Sequence, residues 1–213
     1  MTTFEEEVLE RYFNLKGYFT IKNIVYSSPA RRRGGKGRGE IDLVAVKLEN
    51  GRVKEAKRVE VGVSISGCFP FIDKSGKADE IRRMIKKFFS KGAEKKLQEL
   101  GIVECENWFI TSKFCHNVIE KIEGRLNEFN LSNELRVKLL DIKMENGSVI
   151  VKIEYQPEDS EIEIDGVRTI KIMEFEKILD ELRDILKKGG LSKKYFPDII
   201  MRAIQHMFAK YEH

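Results

Sequence analysis

The sequence predicts an α/β fold laid out as α-β-β-β-α-β with a mixed sheet, followed by a C-terminal α+β extension of β-hairpins and two helices. Three observations predict it. Phe4, Val8, Leu9, Tyr12, Phe13 and Leu15 recur at helical spacing ahead of a run of strand-like segments. GEIDLVAV (39–46) and RVEVGVSIS (58–66) are rich in apolar residues and flank Asn50-Gly51, the strongest short signal for a hairpin. Ile81, Met84, Ile85, Phe88 and Phe89 then mark a basic amphipathic helix before the apolar stretch NWFIT (107–111), which reads as a strand–helix–strand crossover.

The first helix stops at Gly17, and a strand follows over 18–26. A Gly-rich basic loop leads into the strand at 40–48, the Asn50-Gly51 turn, and a third strand ending near residue 66. Gly67, Pro70 and Gly76 mark a linker, and the amphipathic pattern predicts one long helix over 78–100. After the buried strand at 107–111 comes a helix over 118–129. Strands at 135–144 and 148–155 form a hairpin about Asn146-Gly147, and 161–164 with 167–172 form a short one about Asp165-Gly166. Helices at 174–187 and 196–211, separated by Gly189-Gly190, close the chain. Their stripes Ile178, Leu182, Ile185 and Ile199, Ala203, Met207 have core-like spacing. The pattern divides into a domain over 1–130 and an extension over 131–213 that could serve as a homodimer interface or as a substrate-recognition module.

The chain has 213 residues, of which 41% are apolar and 35% charged, the balance of a soluble globular protein. No run reaches the roughly 18 apolar residues of a membrane span, and MTTFEEEVLERYF is an acidic amphipathic segment rather than a signal peptide. A cytoplasmic location is therefore expected. The three cysteines, Cys68, Cys105 and Cys115, form no CxxC pair, and the three histidines complete no zinc pattern, so the thiols are expected to be reduced. Abundant Lys and Glu suit a thermophile.

Chemistry concentrates at two places. Asp42 and Glu60 sit within apolar strands, where an unpaired carboxylate is costly. Two carboxylates on neighbouring strands invite a divalent cation; solvation at a strand end or pairing with an arginine would satisfy either one alone. The loop SPARRRGGKGRG carries Arg31, Arg32, Arg33, Lys36 and Arg38 among four glycines, which lets guanidinium forks and backbone N–H groups approach a phosphate backbone together. A solvated charge run would account for the same composition. Net charge is only +4, so nucleic-acid contact must come from local patches here and on RRMIKKFFSKGAEKK rather than from global attraction.

Across residues 4–112, the helix RYFNLKGYF, the loop RRRGGKGRGEIDLVAV and the strand VEVGVS resemble the PD-(D/E)xK nuclease superfamily, in the restriction-endonuclease-like branch that includes archaeal Holliday-junction resolvase and Mrr-like enzymes. The resemblance implies a metal-dependent DNA endonuclease with Glu6, Asp42 and Glu60 as catalytic residues. Asp42 and Glu60 would hold Mg²⁺ or Mn²⁺, and the loop from Arg31 to Arg38 would bind duplex or branched DNA. Glu5 is the second choice on the helix, because it lies nearer the middle of the apolar arc. An acidic first turn favoured by the helix dipole would also explain both glutamates. One departure from the family is plain: Gly62 stands where the motif lysine belongs, two residues after Glu60 on the same strand face. That lysine orients the attacking water and offsets developing charge. Some relatives supply it from elsewhere, and Lys57, Lys74, Lys77, Lys86 and Lys87 are candidates. The alternatives are a catalytically inactive DNA-binding or adaptor protein on the same scaffold, or a protein-interaction module without nucleic acid.

Overall fold

A computed structural model describes residues 3–28, 37–63, 67–71, 79–132, 135–158, 160–188 and 201–204. Helix α1 (Phe4–Leu15) begins at Thr3, whose hydroxyl accepts from the Glu6 backbone while the Glu6 carboxylate accepts from the Thr3 backbone. This reciprocal cap satisfies two N–H groups that the first helical turn leaves without partners. Strands β1 (Phe19–Ser28), β2 (Gly37–Glu49) and β3 (Arg52–Gly62) form an antiparallel meander. Its β2–β3 turn is closed by Asn50 and Gly51, both at positive φ, as a two-residue hairpin requires.

The short strand β4 (Cys68–Phe69) precedes helices α2 (Glu80–Phe88) and α3 (Lys91–Glu99), which cross to β5 (Glu106–Thr111), parallel to β3. Strand β6 (Lys113–Phe114) pairs with β4, and α4 (Val118–Leu131) follows. The hairpin β7 (Arg136–Glu145) and β8 (Ser148–Gln156) turns at Asn146 and Gly147, again at positive φ. Strand β9 (Gly166–Glu174) leads into α5 (Phe175–Lys188). The main sheet is mixed, with seven strands in the order β1-β2-β3-β5-β9-β8-β7. The predicted extension thus contributes three strands to the sheet that β1 begins. No described helix is long and apolar enough to cross a membrane.

The core lies on both faces of this sheet. Val8, Leu9, Tyr12 and Phe13 of α1 and Ile178, Leu182 and Leu186 of α5 pack on Leu43, Val59, Trp108 and Ile110. Ile81, Met84, Ile85 and Phe88 of α2, with Ile122, Leu126 and Phe129 of α4, pack around Phe109, Val149, Val151 and Ile172. A third group joins Ala93 and Leu97 of α3 to Ile24, Ile41 and Val44. A Cβ on Gly92 would meet the Ser27 carbonyl oxygen at 2.6 Å and the Tyr26 ring at 2.5 Å, so the missing side chain lets α3 approach β1.

Three expectations are corrected. The long helix over 78–100 is two helices, because residues 89–91 pair with 162–164: Lys91 N–H donates to the Ile162 carbonyl at 3.0 Å and Ile164 N–H to the Phe89 carbonyl at 2.8 Å. Ser90 is extended and caps α3. For the same reason the short hairpin about Asp165-Gly166 does not form: Glu163 bridges to Ser90 while β9 lies between β5 and β8. Cys68 and Cys115 form a disulfide instead of remaining reduced, since the β4–β6 pairing brings their Cα atoms to 4.9 Å; Cys105 is a free thiol. Of the predicted closing helix at 196–211, residues 201–204 are helical and the rest lie outside the described residues.

Candidate functional site

Side chains alternate across a strand, so Arg58, Glu60 and Gly62 share the face of β3 that looks toward α2. The antiparallel register pairs Leu43 with Val59 and Val44 with Arg58, and its next step sets Asp42 beside Glu60. Asp42 closes the end of the ladder with its side chain: Oδ2 accepts from the Val61 N–H at 2.7 Å. The two acids expected from sequence to lie together do so.

Between them sits the ammonium of Lys87, from the last turn of α2. Its Nζ is 2.8 Å from Asp42 Oδ2 and 2.5 Å from Glu60 Oε2. The helix is aimed by Ile81, Met84, Ile85 and Phe88, all fully buried, and by its cap Asp79, which Arg125 of α4 holds at 2.7 Å. A cation in the last turn also suits the helix dipole. Burial disfavours the charged amine, but Glu60 and Asp42 outweigh it and raise the Lys87 pKa.

Glu60 is fully buried and needs more than one cation. Arg58, 1% exposed, donates from Nε and Nη2 to Glu60 Oε1, both at 3.0 Å. The same Nη2 donates to the Lys87 carbonyl, and the guanidinium lies over the Phe88 ring at 5.1 Å. Burial raises the Glu60 carboxyl pKa, while Arg58 and Lys87 oppose that rise. Arg58 is the residue that site reasoning from sequence missed. The available signal was its position two residues before Glu60, which places both on one strand face.

The remaining lysine candidates separate by geometry. Lys57 lies on the opposite face of β3 and pairs with Glu55 at 2.7 Å and Glu106 at 2.9 Å. Lys86 is exposed and faces Glu163 at 3.9 Å. Lys74 and Lys77 lie outside the described residues, as do Arg31, Arg32, Arg33 and Lys36 of the basic loop. Arg38 is described through its backbone, which pairs with Ser27 where β2 enters from that loop.

Glu6 is buried on α1, where its carboxylate is part of the helix cap. Burial raises its pKa, and the charges of Asp42 and Glu40 raise it further, which puts Glu6 within electrostatic reach of the site. Glu5 is half-buried. Among the described residues no three His, Cys, Asp or Glu side chains converge as a metal cluster. The site therefore consists of two carboxylates directed at one point, an ammonium at that point, and a buried guanidinium behind Glu60. Comparison with protein-family models, curated proteins and solved structures finds no significant match to this chain.

Proposed function

We propose that the chain is a metal-dependent DNA endonuclease of the restriction-endonuclease-like type. The observation that carries this reading is Lys87, which brings to Asp42 and Glu60 the ammonium that Gly62 cannot supply. The element order supports it: a helix, an antiparallel meander, and a helical crossover to a strand parallel to the third is the core that the family resemblance implies.

The donor set fits Mg²⁺ or Mn²⁺. Both ions take hard oxygen ligands, and Mg²⁺ commonly uses one or two carboxylates, with waters and substrate phosphate completing its shell. Asp42 and Glu60 would hold the ion, with Glu6 nearby to hold a water. When bound, the ion would neutralise charge on the phosphate and acidify the attacking water. The protein's own share is electrostatic and positional. Arg58 orients Glu60 and favours its charged form, Lys87 donates to phosphate oxygen, and the arginines of the 31–38 loop engage the backbone of duplex or branched DNA.

A second reading is favoured by a specific observation: Glu60 Oε1 is committed to Arg58, and Lys87 satisfies both acids. On that reading the scaffold binds DNA without cutting it. Incubating the protein with supercoiled, linear and branched DNA in Mg²⁺ or Mn²⁺ separates the two. Cleavage that disappears in Asp42→Ala supports the endonuclease; salt-sensitive binding without cleavage supports the adaptor.

A further inference from the structure

Lys87 does not stand beside the point where Asp42 and Glu60 converge; its Nζ occupies that point, at 2.8 and 2.5 Å from the two nearest oxygens. Oxygen–metal distances for Mg²⁺ are about 2.0–2.1 Å. An ion bridging the same two oxygens would overlap the ammonium. The local charges also balance without any metal: Asp42 and Glu60 face Arg58 and Lys87. A divalent ion added to that set would leave uncompensated positive charge in a largely buried place, which is unfavourable.

We infer that Lys87 is a tethered counter-ion that keeps divalent metal out of the site until a phosphate group draws the ammonium away, so that DNA and metal bind with positive coupling. The inference rests on the proposed endonuclease reading and assigns an order of binding to it. The geometry permits the movement. Arg58 pins the main chain of Lys87 through its carbonyl, so the backbone can stay while the side chain swings. The stem has four carbons and rotates freely at its ends. The Lys87 side chain is 19% exposed and so borders solvent, whereas Glu60 at 0% is enclosed. Once the ammonium turns to phosphate, the two acids lose their shared cation, and with Arg58 alone facing them the net negative charge left there favours a divalent ion. Reciprocity then requires metal to tighten DNA binding by the same factor.

The test measures Mn²⁺ affinity by electron paramagnetic resonance and by calorimetry, in the full chain, with and without a phosphorothioate DNA duplex that resists cleavage. The unmodified protein alone should bind Mn²⁺ weakly, and the duplex should tighten that binding by about tenfold or more. Lys87→Gln removes the charge but keeps one donor for a carboxylate, and it should bind Mn²⁺ about tenfold more tightly without DNA and gain little from the duplex. Lys87→Arg should behave like the unmodified protein. Adding Asp42→Asn to Lys87→Gln should abolish the tight site, placing the ion at these carboxylates. Equal Mn²⁺ affinity in the unmodified protein and Lys87→Gln, unaffected by DNA, would overturn the counter-ion role and leave the metal site standing. No Mn²⁺ binding in any form, with or without DNA, would overturn the endonuclease reading and the inference together. The arms on the unmodified protein do not depend on any variant folding.

Discussion

The ring of Phe109 fills the space that a side chain at Gly62 would need: a Cβ built on that glycine would stand 2.3 Å from Phe109 Cζ. Phe109 is fully buried among Phe69, Ile85 and Phe88. A lysine on β3 two residues after Glu60 is therefore incompatible with this core. The ammonium arrives from α2, across the same face, through Lys87.

Gly62→Ala should destabilise the protein by about 1–3 kcal/mol, the usual cost of forcing atoms into a packed core, and Gly62→Lys should cost at least as much. Urea unfolding measures both. On the proposed endonuclease reading, Gly62→Lys should also fail to recover any cleavage lost in Lys87→Met. Recovery would mean that the Phe109 ring moves aside at little cost.

Breaking the Arg58–Glu60 pair should be severe, because neither partner reaches solvent. Arg58→Met leaves a buried carboxylate short of its guanidinium and should cost about 3–5 kcal/mol. Replacing both residues with methionine should regain most of that loss, since an apolar pair of similar volume removes the desolvation penalty. A double-mutant cycle by chemical denaturation reads the coupling directly. Additive losses would show that the two side chains do not act as a pair.

Glu55 gives the chain a defined acid sensitivity. Hydrogen bonds from Lys57 and Tyr18 pull its carboxyl pKa down to about 2 from the ordinary 4.5. An acid with a depressed folded pKa contributes stability above its unfolded value, and that contribution is lost as pH falls through the folded value. Melting temperature should therefore drop between about pH 4.5 and pH 2, and Glu55→Gln should flatten that part of the curve. An unchanged acid limb in the variant would assign the transition to other carboxylates.

If Arg31, Arg32 and Arg33 contact phosphates, replacing all three with alanine should weaken binding to every duplex sequence alike. It should also reduce the slope of log affinity against log salt by about 2–3, near 0.9 for each lost phosphate contact. A titration of fluorescent duplex at several salt concentrations measures the slope. An unchanged slope would show that these arginines make no phosphate contacts.

Sequence legibility followed the range of the interaction. The turns at Asn50-Gly51 and Asn146-Gly147 form because these residues themselves favour positive φ, which needs no distant partner. The first helix is likewise written locally, in Thr3, Glu6 and the spacing of Val8, Leu9, Tyr12 and Phe13. The turn sets the register only as far as Leu48 and Val53; a β-bulge between Lys47 and Leu48 then shifts the pairing by one residue, and that shift brings Asp42 and Glu60 to one face. The break after Phe89 was not legible, because its cause, the strand-like pairing with Ile162 and Ile164, lies more than seventy residues further along the chain. The disulfide joins cysteines separated by 47 residues through a two-residue strand pair too short to carry a periodic signal.

By itself, the sequence determined the order of the main elements and the sheet-forming hairpins, since each depends on backbone preference and side-chain period within a short span; the β-bulge between Lys47 and Leu48, which sets Asp42 beside Glu60, is a feature of the folded sheet. The tertiary structure alone decided which cation serves those carboxylates. Phe109 bars residue 62, Lys57 is drawn to Glu55 and Glu106 on the other face, and Lys86 turns outward to Glu163. Among the described candidates that leaves Lys87, placed by the packing of α2 on the sheet and by Arg58 at its carbonyl. The choice rests on contacts between segments far apart in the chain, which no local pattern encodes.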